Sequence, residues 1–566
     1  MTKTIKLFLA ISLLFLPAMF LGQGLDPASL LKPAINSWPT YAGDYSQRHY
    51  SLLTQINRVN VHNLTLAWVS PLRAGPGAAS PGFGFSGATT VGGVAKNPVS
   101  IPGSSSGIPR LAGAILQVNG ILYVSSPDNA WAMDALDGRI LWHYWWKSRG
   151  ATHIGNRGMA MYGDWLYFET PDDCLVSLDA KTGKERWHKE ISDFNEQYFS
   201  TAAPVVVGNH VLVGTGDDLD SPGFLQSFDP KTGDLQWKFY TVPMKKGDPG
   251  LNTWPSLDAA RHGGAQVWMP GSYDPETHLY IFGTGNPTPA YTARIRGPGK
   301  YTNLFTCSIV AVNVDTGKMA WYFQTSPDDT HDWDSTQEPV LVDAMFHGRP
   351  RKLVMQAARN GYFYVLDRTN GKHLLTSRFS AAANWAASID PTSGLVIRNP
   401  EKDNTIAGSL VSPTNGGATN WPPPSFDPQT NLFYVTLHER YAMYYLTLKN
   451  PRMLMGLGGS EQDGVGSLGS YIAAIDYQTG KVVQKWLVPG SKNGWEANLT
   501  GLLTTAGHLL FGGVNKDLVA FDVNRLKPLW HAHIGEVANA PETYMLEGRQ
   551  YILVAASGSL YAFYLQ

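Results

Sequence analysis

The chain has 566 residues, of which 43% are hydrophobic and only 16% are charged, and its formal net charge is −1. This near-neutral balance gives no electrostatic basis for binding nucleic acid or an anionic membrane surface. The low charge, together with 58 Gly, 18 Trp and 26 Tyr residues, is typical of an all-β protein with many tight turns.

The first 24 residues are expected to form a secretory signal peptide. Lys3 and Lys6 make a short basic region, the run 7–16 is almost wholly apolar, and Gly22-Gln23-Gly24 offers a small-x-small cleavage site. The apolar run is short for a membrane span, and an uncleaved anchor is the alternative. No later stretch reaches the length of a transmembrane helix. We therefore expect an exported protein with no integral membrane segment beyond the signal.

One turn pattern returns along the chain. An apolar strand ends in Asp, a Gly and a basic or polar residue follow, and a Trp usually comes shortly after. The Asp side chain bonds the local backbone and Gly supplies a positive φ, so each copy predicts a β-hairpin. Trp68 fits the outer strand of an additional unit. The copies begin at Asp134, Asp179, Asp229, Asp315, Asp367, Asp476 and Asp522.

The spacing of these copies predicts a propeller. Many neighbouring copies lie 45 to 54 residues apart, which matches one four-stranded blade each. A single such sheet cannot bury both faces, whereas blades packed radially can, with the Trp as a rigid filler between them. We predict an all-β, eight-bladed β-propeller that spans residues 25–566 as one domain. The last strand, Tyr551 to Tyr564, is expected to close the ring with N-terminal residues; two smaller β domains are the alternative.

The chain also contains two cysteines and one long segment that is rich in Gly, Ser and Pro. Cys174 and Cys307 lie in different repeats, so two buried thiols are expected rather than a disulfide. No Cys-x-x-Cys-His motif occurs, so the sequence contains no c-type haem attachment site. The stretch 75–107 is rich in Gly, Ser and Pro and is interpreted as a long loop.

The Asp-x-x-Thr-Gly-Lys-x-x-x-Trp pattern is similar to the tryptophan-docking motif of quinoprotein dehydrogenases. Non-catalytic propeller scaffolds carry a similar repeat, so only the motifs between the repeats can distinguish an enzyme from a scaffold. Trp38-Pro39-Thr40-Tyr41 with Arg48-His49-Tyr50-Ser51 resembles the opening motif of this family. The resemblance covers nearly the whole predicted mature chain and points to the pyrroloquinoline quinone-dependent alcohol dehydrogenases.

Three further motifs resemble the metal site of that family. In Gly283-Thr284-Gly285-Asn286-Pro287-Thr288-Pro289, the resemblance places the side-chain oxygen of Asn286 on a metal. The run 326–334 places Asp332 on the catalytic base. It places Asp334 where lanthanide-using members carry a second Asp and calcium-using members commonly carry Ala. Asp218 aligns with a metal-binding Glu, but its side chain is shorter, so Asp217 or Asp220 is an alternative ligand. Hard cations prefer such oxygen donors, which implies Ca²⁺ or a light lanthanide ion.

Other positions resemble the quinone contacts of the family. Trp268 matches the tryptophan on which the quinone ring lies, since indole offers the largest flat apolar floor. Arg157 matches the residue that pairs with a cofactor carboxylate, and Arg359 the residue that reaches the reactive quinone oxygens. The further polar contacts that the resemblance implies are Asn420, Thr201 and Thr215.

The sequence departs from the family at two places. Many members have adjacent cysteines over the quinone where this chain has Ala151 and Thr152. The second face of the cofactor must then be covered in another way, for which His153 and Ile154 are candidates. Members also often carry an acidic residue where this chain has Ala112-Gly113-Ala114. Both differences bear on how the cofactor is bound.

The resemblance implies a periplasmic enzyme that oxidises a small alcohol by hydride transfer to pyrroloquinoline quinone. Asp332 would accept the alcohol proton, and the metal would act as a Lewis acid. Electrons are expected to leave through a separate acceptor such as a cytochrome c, and a homodimer is one possible assembly. Nicotinamide is not expected, because no Gly-x-Gly-x-x-Gly opens a βαβ unit. The alternatives are a sugar dehydrogenase, which Arg359 argues against, a non-enzymatic scaffold for protein assembly, and a degenerate relative that binds cofactor poorly.

Overall fold

The computed structural model describes residues 24–75, 108–149, 155–196, 198–216, 220–447, 460–492 and 497–566. The predicted signal up to residue 23, the predicted loop from 76 to 107, and residues 151–154, where the second face of the quinone was expected to be covered, lie outside the described residues. Within the described ranges, no helix is long and apolar enough to cross a membrane. The helices found there are the α-helix α1 (Leu257–Arg261) and the 3-10 helices Pro27–Leu31, Val61–Asn63, Phe194–Glu196, Leu251–Thr253 and Pro400–Lys402.

The strands confirm the all-β class and form successive antiparallel sheets. The first two strands of the chain are β1 (Tyr50–Ser51) and β2 (Leu64–Pro71). Sheet I is β3 (Leu116–Val118), β4 (Ile121–Ser126), β5 (Asn129–Asp134) and β6 (Ile140–Trp145). Sheet II is β7 (Ala160–Tyr162), β8 (Trp165–Glu169), β9 (Cys174–Asp179) and β10 (Glu185–Glu190). Sheet III is β11 (Val205–Val207), β12 (His210–Gly214), β13 (Phe224–Phe228) and β14 (Leu235–Tyr240).

The same arrangement continues in the second half of the chain. Sheet IV is β15 (Ser272–Asp274), β16 (Leu279–Gly283), β17 (Ser308–Asn313) and β18 (Met319–Gln324). Sheet V is β19 (Val340–Phe346), β20 (Arg349–Ala357), β21 (Tyr362–Asp367) and β22 (Lys372–Arg378), and a separate hairpin follows, β23 (Ala386–Ile389) with β24 (Val396–Arg398). Sheet VI is β25 (Ser409–Val411), β26 (Ser425–Asp427), β27 (Leu432–Leu446), β28 (Ser460–Asp476) and β29 (Val482–Leu487).

The last two sheets each include one N-terminal strand. Sheet VII is β1 with β30 (Leu499–Thr505), β31 (Leu509–Val514), β32 (Asp517–Asp522) and β33 (Lys527–His533). Sheet VIII is β2 with β34 (Glu542–Leu546), β35 (Arg549–Ala556) and β36 (Ser559–Leu565). β2 pairs antiparallel with β36, which confirms that the end of the chain meets N-terminal residues. The predicted single strand Tyr551–Tyr564 is wrong, because Ser557 and Gly558 turn with positive φ and divide it into β35 and β36.

Five of the repeated Trp residues bond their sheet to the next one, as predicted. The indole N–H of Trp142 in sheet I donates to the carbonyl of Ala180 in sheet II at 2.9 Å. The ring packs over the turn glycine Gly183, whose φ is +68°. Four other indoles donate in the same way, from Trp68 to Ala135, from Trp187 to Lys231, from Trp237 to Val314 and from Trp321 to Arg368. The repeat therefore encodes both the hairpin and its contact with the neighbouring sheet.

The core lies between these sheets. The second and third strands of a sheet are buried on both faces, as in β9, whereas the last strand alternates between exposed and half-buried residues, as in β6. The larger core clusters accordingly mix residues of adjacent sheets, for example Val365 of sheet V with Phe433 of sheet VI. Both cysteines are free and buried, as predicted, although Cys307 precedes β17 rather than lying in it.

An N-terminal segment, residues 25–51, forms hydrogen bonds with all eight sheets, and we call it the crossing segment. Its side chains and backbone meet the loops and first strands of successive sheets, so it holds together one end of the molecule. The backbone pairs are Leu25 with Gly163, Asn36 with Met545, Trp38 with Gln117, Tyr45 with Tyr273, Ser46 with Leu341, Arg48 with Phe426 and His49 with Thr504. The phenol of Tyr45 adds a bond to the carbonyl of Val206.

Candidate functional site

The predicted site residues lie in links at one end of the sheets. Because neighbouring antiparallel strands alternate in direction, the turn between the second and third strands and the link to the next sheet leave from the same end. The predicted residues all stand in such links: Arg157, Thr201, Thr215, Trp268, Asn286, Asp332, Asp334, Arg359 and Asn420. Asp218, the predicted ligand in the turn of sheet III, lies outside the described residues.

Two carboxylates converge on one guanidinium at the start of the link into sheet V. Arg359 donates from Nη1 to Asp334 and from Nη2 to Asp332, the latter at 3.3 Å. Asp332 adopts a positive φ of 66°, which Asp tolerates better than most residues and which turns its side chain toward Arg359. The Asp334 side chain is 6% exposed and that of Asp332 is 19% exposed. Asp332 is thus the more accessible of the two.

Arg359 is held firmly by its own surroundings. Its backbone N–H donates to Gln337 at 3.1 Å, its carbonyl accepts from Ala418 at 2.8 Å, and its guanidinium also donates to the carbonyl of Asn415. Burial by itself would lower the pKa of Arg359, but Asp332 and Asp334 outweigh it and raise that pKa above the usual value. The guanidinium is therefore a permanent positive charge at a defined position.

Asn286 lies against Asp334. Its backbone N–H donates to Oδ1 of Asp334 at 2.6 Å, and its side-chain N–H₂ donates to the carbonyl of Pro287, which leaves its side-chain oxygen for a ligand. A Cβ on Gly285 would come within 3.0 Å of Oδ1 of Asp334, so this close approach requires glycine. Burial raises the pKa of Asp334, and Arg359 opposes that effect.

The donor set of Asn286, Asp332 and Asp334 fits a hard cation. Carboxylate and amide oxygens are the ligands that calcium prefers, and lanthanide ions share this preference for oxygen. Across the described ranges, no three His, Cys, Asp or Glu side chains are grouped as a metal cluster. The arrangement therefore supplies two carboxylates and one amide.

The quinone contacts expected from the sequence form an adjoining group. The Arg157 guanidinium lies 4.7 Å from the centre of the Trp268 ring and 5.4 Å from that of Trp421. It donates to the carbonyl of Thr201 at 2.7 Å and to its hydroxyl, while its buried Nε has no partner. Burial lowers the pKa of Arg157 to about 10, which still leaves it charged at neutral pH. Trp268 also lies within hydrogen-bonding range of Asp334 and so links the two groups.

This second group fits a flat polycarboxylate such as pyrroloquinoline quinone. A fork-shaped cation with a free N–H suits a carboxylate, and two indoles supply flat apolar surface beside it. Trp421 was not predicted, although it follows Asn420 in a motif that the sequence had singled out. Asn420 itself donates to the carbonyl of Gly416 and accepts from the N–H of Trp421 through its side chain, so it shapes the turn that presents Trp421.

Thr215 is placed apart from these two groups. Its hydroxyl is buried and lies 3.3 Å from Oδ1 of Asp173, so it is engaged with that carboxylate. Thr215 and Asp173 belong to a buried polar cluster behind Arg157 and Thr201. Sequence reasoning missed this cluster, because a Thr-Pro-Asp-Asp turn has no special spacing.

Aromatic residues surround Asp332. The ring of His331 stacks on Trp333 with centroids 4.3 Å apart and meets Tyr444 edge-on at 4.9 Å. Burial lowers the pKa of His331 to about 3, so this ring is neutral. Tyr291 accepts a hydrogen bond from the side chain of Asn415. The segment that carries Asp332 is thus packed among aromatic rings.

Comparison with known proteins identifies a family. Residues 38–383 match the family model described as "Glucose/ethanol/alcohol dehydrogenase, beta-propeller domain". The quinohemoprotein alcohol dehydrogenase ADH IIB of Pseudomonas putida is 33% identical in an alignment that covers 98% of this chain and 79% of that protein.

Solved structures agree with this match. The quinohemoprotein alcohol dehydrogenase from Comamonas testosteroni superposes with a TM-score of 0.83 and 29% identity, over 96% of this chain and 82% of that one. A europium-containing methanol dehydrogenase superposes with a TM-score of 0.80 and 25% identity, over 95% of this chain and 99% of that one. The likeness thus extends through both halves of the chain.

Proposed function

This chain belongs to the family of pyrroloquinoline quinone-dependent alcohol dehydrogenases, and we propose that it oxidises a small alcohol after export to the periplasm. The quinone would lie against Trp268 and Trp421, with Arg157 at its carboxylates and Arg359 at its reactive end. A calcium or lanthanide ion would be held by Asn286, Asp332 and Asp334. Export is inferred from the basic and apolar N-terminal residues, which match a secretory signal.

The fold part of this proposal is a closed ring of eight blades. Eight sheets of four or five strands occur in the described residues, and β2 joins the first and last parts of the chain in sheet VIII. The crossing segment touches every one of these sheets. A ring leaves each sheet covered on both faces, which the burial of the second and third strands requires.

The observation that carries the proposed chemistry is the pairing of Asp332 with Arg359 beside Trp268. When bound, the quinone supplies the hydride acceptor and the metal ion supplies a Lewis acid. Asp332, the more exposed carboxylate, accepts the hydroxyl proton of the alcohol. Arg359 fixes the orientation of Asp332, and the aromatic rings around His331 exclude water from the proton transfer.

Electrons would then pass to a separate carrier such as a cytochrome c. Alcohols are favoured over sugars as substrates, because the matched relatives named above are alcohol dehydrogenases. A non-enzymatic scaffold would not need two carboxylates, an arginine and an amide at one point, with an indole beside them.

The test is turnover and quinone binding measured on the same variant. Cofactor-free protein is loaded with the quinone and Ca²⁺ or a light lanthanide, and oxidation of primary alcohols is followed with an artificial electron acceptor. Asp332→Asn should reduce the rate by about 10²–10⁴-fold while quinone affinity, followed by quenching of tryptophan fluorescence, changes little. A variant with nearly wild-type rate would remove Asp332 from the mechanism. Absence of quinone binding in the wild type would overturn the proposed function itself.

A further inference from the structure

A buried cluster of carboxylates and hydroxyls lies between sheets II and III, away from Asp332 and Asp334. Its members are Glu169, Asp173, Ser192, Ser200 and Thr215, and we call it the carboxylate–hydroxyl cluster. Glu169 ends β8, Asp173 stands in the following turn with a φ of +62°, and Thr215 follows β12. Three separate stretches of chain therefore bring only oxygen donors to one point.

Within the cluster, the three hydroxyls donate to Asp173, whereas Glu169 accepts no hydrogen bond. The Asp173 carboxylate accepts from the hydroxyls of Ser192, Ser200 and Thr215. Glu169 is 1% exposed, and both of its carboxylate oxygens are buried without a hydrogen-bond partner. The Ser200 hydroxyl bonds Asp173, and both Ser200 and Asp173 are near enough to Glu169 to affect its pKa, so the unpartnered oxygens of Glu169 belong to the same cluster.

The cluster has no counter-ion of its own. Among the described residues, no Lys, Arg or His nitrogen lies within 4.0 Å of Glu169 or Asp173 in any ion pair. The neighbouring Asp172 differs, since it is paired with Arg149. Arg157, a nearby cation, donates instead to Thr201 and lies over Trp268.

Lys238 is close enough to interact electrostatically with Asp173, but its ammonium lies 3.5 Å from the centre of the Phe224 ring and forms no ion pair with that carboxylate. Burial raises the pKa of both acids, that of Asp173 to about 6. Two like charges in a buried position are costly unless a proton or a cation neutralises them.

We propose that Glu169 and Asp173, with the hydroxyls of Ser192, Ser200 and Thr215, bind a hard divalent cation of the Ca²⁺ type. Two carboxylates balance its charge, and the five side chains offer up to seven oxygens, within the 6–8 that Ca²⁺ takes. This site is distinct from the one at Asn286, Asp332 and Asp334 and does not rest on the proposed function. The cation would fix the position of Ser200, which precedes Thr201, the residue that accepts from Arg157.

The competing explanation is a proton shared by Glu169 and Asp173. A shared proton satisfies the two carboxyl groups without any metal, so Ca²⁺ would have no effect there. Replacing Glu169 by Gln separates the two explanations, because Gln keeps the shape and removes the charge that a cation needs. If the cluster binds a cation, Glu169→Gln weakens Ca²⁺ binding. If the two acids share a proton instead, Glu169→Gln changes only how stability depends on pH, because it removes one buried ionisable group.

The experiment titrates the quinone-free full chain with Ca²⁺ by calorimetry and follows Tm in the presence and absence of Ca²⁺. An Asp334→Asn background removes a ligand of the other site and isolates this one. In that background we expect one Ca²⁺ site, at least tenfold weaker in Glu169→Gln, and loss of the Ca²⁺-dependent rise in Tm. Glu439→Gln is the matched control, since Glu439 is equally buried but already bonded to Ala381 and Lys485.

Two results would overturn the proposal. One is an unchanged Ca²⁺ titration in Glu169→Gln; the other is a wild type whose Tm does not respond to Ca²⁺. If Glu169→Gln fails to fold, Ser192→Ala takes its place, because it removes one hydroxyl ligand from the edge of the cluster and should weaken Ca²⁺ several-fold. Unaltered affinity in Ser192→Ala would then count against the site. Because no quinone is present, failure here leaves the proposed function untouched.

Discussion

Asp332 and Asp334 stand two positions apart and share Arg359, yet their surroundings give them different tasks. Asp332 keeps a contact with solvent and bonds Arg359 at 3.3 Å, so it can exchange a proton with a substrate. Asp334 is more deeply buried and accepts from Asn286 and Arg359, so its charge is fixed in place. The accessible group suits a general base, and the fixed group suits a metal ligand.

The charge of Asp334 leads to a prediction about the metal. A light lanthanide ion should support more alcohol turnover than Ca²⁺, because an additional carboxylate favours a trivalent ion. Asp334→Ala should reverse that order. The measurement is turnover of cofactor-loaded protein during titration with each ion. Asp328→Asn is the control, since Asp328 lies in the same segment but pairs with Arg398 and Arg296. Equal activation by both ions in wild type and Asp334→Ala would leave only a generic metal site.

Glu542 provides a pH-dependent prediction at a residue outside the proposed chemistry. One carboxylate oxygen accepts from the N–H of Ile115 at 2.7 Å and the other has no partner, and burial raises the pKa of Glu542 well above its usual 4.5. The folded state thus holds the proton more tightly than the unfolded state. Stability should therefore fall as the pH rises above about 4.5.

Glu542→Gln should remove that loss, because Gln still accepts from Ile115 but does not ionise. We expect the variant to match the wild type near pH 4.5 and to exceed it by about 1 kcal/mol or more at pH 8, since each unit of pKa shift corresponds to about 1.4 kcal/mol. Urea unfolding at the two pH values measures the difference. A difference that does not change with pH would contradict the assignment.

At the residue scale, a site residue could be predicted from the sequence only where it lies in a recognisable motif. Asn286, Asp332, Asp334 and Arg359 could be selected because each lies in a recognisable run, and the structure brings the four together. Glu169 carries no such pattern, and the hydroxyls of Ser192, Ser200 and Thr215 reach Asp173 only when distant parts of the chain fold together. Side-chain clusters of this kind depend on tertiary packing, which spacing along the chain does not encode.

At the scale of the element, the hairpin turns were the most predictable feature. Asp179 accepts from the N–H and hydroxyl of Thr182, and Gly183 takes the positive φ that the turn needs. The same glycine lies under the indole of Trp142 from the preceding sheet. A local signal and a long-range contact thus coincide at one residue, which is why the repeat could be recognised without a structure. The hairpin of β23 and β24 has a similar turn, in which Asp390 accepts from Ser393 and Gly394 takes a positive φ. His373 rather than a Trp lies against that glycine, and this hairpin was not predicted.

Gly183 must adopt a positive φ and must also leave space for the Trp142 ring. Comparing Gly183→Ala with a control glycine separates these two requirements. The new Cβ would lie 2.6 Å from the Trp142 ring and would also be strained at a φ of +68°. Gly208→Ala is the control, because Gly208 has a φ of +54° but open space around it. We expect losses of about 2–4 kcal/mol for Gly183→Ala and about 1 kcal/mol for Gly208→Ala, from backbone strain with and without overpacking. Equal losses in chemical denaturation would show that the indole contact contributes nothing.

At the scale of the whole molecule, two features connect parts of the chain that are far apart in sequence. β2 completes sheet VIII against β36, and the crossing segment bonds to each of the eight sheets. Its His49 forms a buried hydrogen bond with Glu338, the two atoms 2.9 Å apart. The pairing of the chain ends was predicted, but the route of residues 25–51 was not, because it contains almost no regular structure.

These contacts predict that the crossing segment is needed for cooperative folding. A chain that begins at residue 36 loses the pairing of Leu25 with Gly163 and should unfold cooperatively at a somewhat lower Tm. A chain that begins at residue 52 also loses β1 and the contacts of Tyr45, Ser46, Arg48 and His49, which reach sheets III to VII. It should show no single sharp transition, since the buried polar atoms at that end of the sheets would lose their partners.

Calorimetry of both truncated chains tests this prediction. Adding residues 24–51 as a synthetic peptide should partly restore a sharp transition in the chain that begins at residue 52. If the chain that begins at residue 52 unfolds in one sharp transition near the wild-type Tm, the contacts between neighbouring sheets are sufficient by themselves. The crossing segment would then be a cover over that end of the sheets rather than the element that joins them.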